Sequence, residues 1–307
     1  MNFLFNLPVL FIHLPYRLFV WLIIFDIIEL NKVSQLIIHG GDCIMEYNNY
    51  SIGVLDSGVG GLTVVKEIQR QLPKENIVYF GDSLNMPYGN MDVGEIIGLT
   101  KKIISFIEAQ KVKVIIIACN TISSQIENLI PLTDIPVFDI IYPGCLAAIE
   151  DDSEDGIGLI ATEATVKANL YGKTLNSLNP NIPFYPQASH DLARIVEKNN
   201  TNTQQLEMAI KEAIDPILLK APVKNLILGC THYPIVSSEI TKLYPQLKLI
   251  DPAVNLVEIV KGYLENNNIL SNTRSQLKIY TSGEMDGFLP FIDRLGIKNY
   301  TLVKQVL

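Results

Sequence analysis

The chain of 307 residues is 48% apolar and 18% charged, which excludes a disordered or collagen-like protein and leaves room for two ordinary domains. Its 24 Lys and Arg against 32 Asp and Glu give a net charge of -8, which argues against nucleic acid as a partner, because that affinity rests on clustered cations. Four cysteines (Cys43, Cys119, Cys145, Cys230) are too few and too scattered for a disulfide framework, and without a C-x-x-C pair no metal site is expected.

Residues 1–44 are rich in Phe, Leu and Ile and hold the only Trp, Trp21. A membrane span needs roughly 20 mostly apolar residues. Here Pro8 and Pro15 break the first charge-free run, Arg17 ends it, and Asp26 and Glu29 close the apolar run 18–25. The basic start and small-residue cleavage site of a signal peptide are not evident. A membrane anchor is one reading. The favoured one is a non-native leader or disordered extension ahead of a start at Met45, because Gly40-Gly41-Asp42 can be encoded by a sequence resembling a ribosome-binding site.

From residue 51 the chain alternates strand-like and helix-like patterns. The apolar run 51–55 ends at Asp56-Ser57-Gly58, and helical spacing follows over 62–72 until Pro73. A strand over 77–80 ends in Gly81-Asp82, a helix is predicted over 93–110, a buried strand over 112–118 and a helix over 121–130. Acidic, polar 150–155 and polar 199–203 read as loops; Pro252 opens a helix over 253–264, and a strand near 277–280 is expected to return to the first half. This alternation predicts parallel sheet covered on both faces.

The pattern recurs within the chain. S-I-G-V-L-D-S (51–57) resembles G-I-G-L-I-A-T (156–162), N-I-V-Y-F-G-D-S (76–83) resembles N-I-P-F-Y-P-Q-A-S (181–189), and V-K-V-I-I-I-A-C-N-T (112–121) resembles V-K-N-L-I-L-G-C-T-H (223–232). Three matches in one order argue for duplicated halves, although Val- and Ile-rich parallel strands also look alike by chance.

In an open α/β sheet, functional groups gather past the carboxyl ends of the strands. Asp56-Ser57, Asp82, Cys119-Asn120-Thr121 and Cys230-Thr231-His232 occupy such positions. Helix N-terminal amides beside a thiol favour its thiolate. A single Cys after an apolar strand is ordinarily a small core residue, but two at equivalent points of two halves can flank one ligand from opposite sides. That arrangement suits inversion of a carbon acid, in which one face loses a proton and the other gains one. Asp56 and His232 can assist, or serve only as a helix cap and a helix-start hydrogen-bonder. The turn D-S-G-V-G-G (56–61) can offer amides to an anion but lacks the pattern of a nucleotide P-loop.

D-S-G-V-G-G-L-T-V (56–64), Y-F-G-D (79–82), P-Y-G (87–89), A-C-N-T (118–121) and G-C-T-H-Y-P (229–234), in this order, resemble the motifs of the glutamate racemases. The resemblance covers about residues 45–307. It implies two similar doubly wound α/β domains with mainly parallel sheets, related by a pseudo-two-fold axis, with the active site in the cleft between them. The expected division is 45–144 plus 253–307 for the first domain and 145–252 for the second. The resemblance also implies cofactor-independent interconversion of L- and D-glutamate, with no cofactor and no metal, supplying D-glutamate for bacterial peptidoglycan in the cytoplasm. Cys230 is expected to act on L-glutamate and Cys119 on D-glutamate, with Asp56 supporting Cys119, and His232 with Glu197 supporting Cys230. Ser57, Pro87, Tyr88, Gly89, Asn120, Thr121 and Thr231 are expected to hold the substrate, together with Asp82, Thr162 and Thr165. A homodimer without stable membrane association is likewise implied.

Two positions depart from the family pattern: Ser189-His190 where Cys-Pro is usual, and Ile122 where a small or hydroxyl residue is usual. Both put substrate preference in question more than reaction type. The alternatives are an aspartate or broad-specificity racemase of the same superfamily, a thiol hydrolase using Cys230 and His232, which leaves Cys119 unexplained, and a non-catalytic binding protein on the same fold.

Overall fold

Strand β1 (Ser51–Asp56) is central to a six-stranded sheet whose order is β10-β9-β2-β1-β3-β4. This computed structural model describes residues 47–150, 155–198, 203–273 and 275–307. The predicted leader 1–44 lies outside them, as do the centres of the two predicted loops. The first sheet takes β2 (Ile77–Gly81), β3 (Val112–Ile117) and β4 (Val137–Asp139) from the first half, and β9 (Leu277–Thr281) and β10 (Tyr300–Lys304) from the end of the chain. The second sheet has the order β6-β5-β7-β8, from β5 (Ile157–Ala161), β6 (Phe184–Ala188), β7 (Asn225–Gly229) and β8 (Lys248–Ile250). Every pairing in both sheets is parallel. The order β2-β1-β3-β4 is repeated by β6-β5-β7-β8, so each pair of similar sequence segments occupies equivalent strands. Both sheets fall in one compact unit, Asn48–Leu307.

Local sequence explains the helices. α1 (Leu62–Gln71) follows the glycine turn and buries Leu62, Val64, Val65 and Ile68. α2 (Val93–Ala109) starts at a capping box: the Asp92 carboxylate accepts from Glu95 N at 2.9 Å, and Glu95 Oε2 accepts from Asp92 N at 3.3 Å. Its inner face, with Ile96, Ile103, Ile104 and Ile107, packs on Leu55, Val78, Ile115 and Ile117 of the sheet. The helix expected over 121–130 is broken into α3 (Asn120–Ser123) and α4 (Ile126–Leu129). The break falls at Gln125, whose N–H donates to Ile122 O at 2.9 Å, closing a tighter turn instead of continuing the ladder.

The crossovers in the second half are α5 (Ile141–Ile149), α6 (Glu163–Ala168), α7 (Leu170–Leu178), α8 (Leu192–Glu197), α9 (Thr203–Leu218) and α10 (Ser237–Leu243). α11 (Pro252–Asn266) begins with Pro at its first position and Asp251 as cap, whose carboxylate accepts from Ala253 N at 3.0 Å. α12 (Leu289–Leu295) ends at Gly296, whose φ of +69° is the left-handed conformation that terminates helices. Pro186 inside β6 is tolerated because β6 is an edge strand. Among the described residues, no helix is long and apolar enough to cross a membrane.

One buried ion pair lies at the opposite end of the first sheet from the strand carboxyl termini. Lys113 of β3 and Glu75, both almost without exposure, stand 2.7 Å apart. Lys113 Nζ also donates to Asn48 O at 2.8 Å and Ile269 O at 2.7 Å, while Glu75 Oε1 accepts from Ser271 N at 2.8 Å. The pair thus ties the entry to β1, the turn before β2, β3 and the segment before β9.

Candidate active site

Each sheet delivers chemistry at its strand carboxyl ends. β1 ends on Asp56 and leads to Ser57; β3 leads to Cys119, Asn120 and Thr121; β5 leads to Thr162; β7 leads to Cys230, Thr231 and His232. The two groups of residues meet. Thr231 Oγ1 donates to Asp56 Oδ2 at 3.2 Å. A Cβ built on Gly60 would stand 2.3 Å from Thr231 Oγ1 and 2.9 Å from His232 Nδ1, so the approach of the 57–61 turn to β7 requires glycine at this position.

Both thiols are buried and free. Cys119 Sγ lies 3.4 Å from Ser57 Oγ. Burial, and next the charge of Asp56, push this thiol up to about 12, against the opposing hydrogen bonds from Ser57 and from the Ile122 backbone. The expected lowering by helix amides is therefore overturned at Cys119, because α3 is only one turn long and desolvation outweighs its amides. Cys230 Sγ lies 3.5 Å from His232 Nδ1, and the other ring nitrogen, Nε2, is hydrogen-bonded to Glu197. Burial disfavours the imidazolium, yet Cys230 and Glu197 on its two nitrogens together raise His232 well above the usual histidine value. Glu197 reaches the site from the end of α8. It also lines a cleft of about 360 Å³ shared with Val59, Ser83, Gly283 and Phe288.

Asp56 is fully buried, and desolvation raises its carboxyl above the usual range, although His232 and the Gly58 N–H oppose this. Gly58 N donates to Asp56 Oδ1 at 2.9 Å, so this amide of the glycine turn is already committed to a carboxylate of the chain. Asp82 accepts from Tyr88 OH at 2.5 Å, from Ser282 Oγ at 2.5 Å and from Asn85 Nδ2 at 3.0 Å. These bonds hold the loop that carries Pro87, Tyr88 and Gly89, where the Met86–Pro87 peptide is cis. A Cβ on Gly89 would sit 3.4 Å from Thr162 Cβ, so this loop reaches the second sheet.

Three threonine hydroxyls cluster across the two halves. Thr121 Oγ1 is 3.0 Å from Thr162 Oγ1 and 3.4 Å from Thr165 Oγ1, and Thr162 and Thr165 are 2.9 Å apart. Asn120 Oδ1 accepts from Tyr171 OH at 2.7 Å. Asp56, Ser57, Cys119, Asn120, Thr121, Thr162, Thr165, Cys230, Thr231 and His232 thus gather around the strand ends, with Glu197 reaching them from α8 and Asp82 one step behind Tyr88. Asn85, Tyr171 and Ser282 were missed.

The two departures fall in different surroundings. His190 has a side chain 76% exposed and faces Glu163 at 3.6 Å on the surface, while Ser189 Oγ accepts from Leu192 N at 3.4 Å. Ile122 is fully buried in the apolar cluster that also holds Cys119 and Tyr88, and its backbone hydrogen-bonds the Cys119 thiol. Among the described residues, no group of three or more His, Cys, Asp or Glu side chains is arranged to hold a metal ion.

The profile of the Asp/Glu/hydantoin racemase family matches residues 52–260. A glutamate racemase of Caldanaerobacter subterraneus subsp. tengcongensis is 37% identical over 243 residues, 78% of this chain and 90% of that one. The crystal structure of glutamate racemase isoform RacE1 from Bacillus anthracis superposes with a TM-score of 0.79 at 35% identity, covering 85% of this chain and 98% of that one. The glutamate racemase of Francisella tularensis, solved in complex with D-glutamate, superposes with a TM-score of 0.76 at 32% identity over 85% of this chain and 98% of that one.

Proposed function

The chain belongs to the Asp/Glu/hydantoin racemase family, and from that premise we propose that it interconverts L- and D-glutamate by a two-thiol mechanism without a cofactor. The observation that carries this reading is the pairing of Cys119 and Cys230 at equivalent strand ends of two repeated sheets, each with its own polar partner. One thiolate removes the α-proton from one face, and the opposite thiol supplies a proton to the other. The carbon–hydrogen bond that breaks on one face is replaced by one on the other, and the electron pair stays on the carbon between these events.

The resting arrangement is unequal. Cys119, pushed up to about 12, is a thiol at neutral pH and is ready to donate. Cys230 has the His232 ring beside it, on the face where L-glutamate loses its proton. Asp56 acts on Cys119 through its charge, Ser57 through its hydroxyl, and Glu197 holds the His232 ring against Cys230. Ser57, Asn120, Thr121, Thr162, Thr165 and Thr231 supply hydroxyl and amide groups for the substrate's carboxylates and ammonium. Asp82 acts by holding Pro87, Tyr88 and Gly89 over the site. The two functional domains are 45–144 with 253–307, and 145–252. The enzyme acts in the cytoplasm as a homodimer and supplies D-glutamate to peptidoglycan.

Glutamate is preferred over aspartate: the chain carries the motifs of the glutamate racemases, and His190, one of the two departures from the family pattern, is exposed on the surface. The test is circular dichroism of the purified protein with each enantiomer of glutamate and of aspartate, after dialysis against a chelator and with no cofactor added. Loss of optical rotation with both glutamate enantiomers is expected. A higher kcat/KM for aspartate overturns the substrate assignment, and a loss of rate restored by a divalent cation overturns the mechanism.

A further inference from the structure

We infer that Tyr171 is a positioning residue for substrate binding: its phenol occupies the acceptor of the Asn120 side chain and so turns the amide donor toward a carboxylate of the bound amino acid. The inference rests on the glutamate reading above and adds a residue to it. Asn120 follows Cys119 directly, at the start of α3, and is 3% exposed. A primary amide there can present either its oxygen or its nitrogen, and the two choices are opposite in sign for an anion. Tyr171 OH donates to Oδ1 at 2.7 Å, and Nδ2 is left buried with no hydrogen-bond partner among the described residues. A buried donor without a partner costs free energy in the empty protein. A carboxylate oxygen is the ligand group that would remove that cost.

Tyr171 is well suited to hold the amide. It lies on α7, on the opposite sheet's side of the site, and is 1% exposed. Its backbone oxygen accepts from Cys145 Sγ at 3.8 Å, and a Cβ on Gly144 would come within 3.4 Å of its hydroxyl. The phenol is therefore walled in by α5. Burial keeps it protonated, so it remains a donor throughout the working pH range. The next residue, Thr121, also bonds to the second half through Thr162. Asn120 and Thr121 are thus both fixed from across the site, and the amide donor is oriented only when the two halves are in contact.

The test is Tyr171→Phe, which keeps the ring and removes the bond. KM for L- and D-glutamate should each rise about tenfold, as for loss of one hydrogen bond to a charged group, while kcat changes less than about threefold. The inhibition constant of glutarate, a dicarboxylate without the ammonium, should weaken by a similar factor. Unchanged KM and unchanged glutarate inhibition overturn the inference. So does a loss for the amino acids alone, which would mean that the amide presents its oxygen to the ammonium. If Tyr171→Phe does not fold, Asn120→Asp asks the same question: glutarate inhibition should weaken by more than about tenfold, whereas tighter amino-acid binding would overturn the inference. Failure of the glutamate reading is distinguishable, because the unsubstituted protein would then not racemise glutamate at all.

Discussion

His232 places one ring nitrogen 3.5 Å from the Cys230 sulfur, whereas the nearest side-chain partner of the Cys119 sulfur is the Ser57 hydroxyl at 3.4 Å. The two thiols of a formally symmetric reaction therefore work under different electrostatics. Four expectations rest on this asymmetry and on the frame that holds it.

Cys119→Ser and Cys230→Ser should each abolish racemisation, because a serine hydroxyl is too weak an acid to replace a thiolate near neutral pH. Each variant should nevertheless keep a base on one face. A substrate analogue with a β-leaving group needs only that base, so Cys119→Ser should eliminate from the L-analogue and Cys230→Ser from the D-analogue. Keto-acid release from both analogues with both variants is the measurement. Near-normal racemisation by either variant would exclude the two-thiol mechanism, and eliminations of the opposite hand would reverse the assignment of faces.

Cys119 should show little thiolate at neutral pH. In Cys230→Ser, its alkylation by iodoacetamide should rise with pH from 7 to 10 without levelling off, since the thiol is held up to about 12 by burial and by Asp56. Replacing Asp56 by Asn in the same background removes a negative charge and should move the rise to lower pH. Mass spectrometry of the peptide containing residue 119 reads both. A plateau below pH 8 in the parent would contradict this account.

His232 links stability to pH. Its folded value lies well above the ordinary 6.5, so its contribution is fully present below about pH 6.5 and is lost as pH rises through the folded value. The Tm difference between the parent and His232→Gln should be widest near pH 6 and should narrow on the alkaline side. A difference that widens with rising pH would show that the ring is buried neutral.

The Lys113–Glu75 pair predicts a third kind of sensitivity. Lys113→Met leaves Glu75 buried and unpaired and should cost about 3–5 kcal/mol, while Lys113→Met with Glu75→Leu should cost much less. A chain beginning at Met45 retains Asn48, whose carbonyl accepts from Lys113, and should match the full chain in activity and Tm. One beginning at Tyr50 lacks that acceptor and should melt lower. Equal Tm values for the two truncations would remove the pair from the account of how β1 is anchored.

Much of this was legible in the sequence because strand ends carry their own punctuation. Asp56-Ser57, Cys119-Asn120-Thr121 and Cys230-Thr231-His232 each follow an apolar run, and the rule for parallel sheets points to such positions. The repeat 51–57 with 156–162 correctly matched β1 to β5. The helix over 121–130 failed because apolar spacing does not reveal the tighter turn at Gln125, whose N–H bonds Ile122 O. Ser282 follows β9 directly and could have been found by the same strand-end rule, but its partner Asp82 is 200 residues away. Tyr171 had no such signal: it sits inside a helix, and only the packing of α7 against α5 brings it to Asn120.

The separation of Asp82 from Ser282 has a consequence for biosynthesis. β2 gains its outer neighbour, β9, only when the last part of the chain has left the ribosome, since the whole second sheet is encoded between them. At about 5–20 residues per second, β2 waits some 10–40 s as an open edge while the second sheet is being made. Asp82 waits with it, lacking Ser282, so the loop of Pro87, Tyr88 and Gly89 receives its last support at the end of synthesis. A ribosome stalled before residue 277 would therefore expose the unpaired outer edge of an apolar strand, and chaperone dependence should be concentrated in that interval rather than spread along the chain.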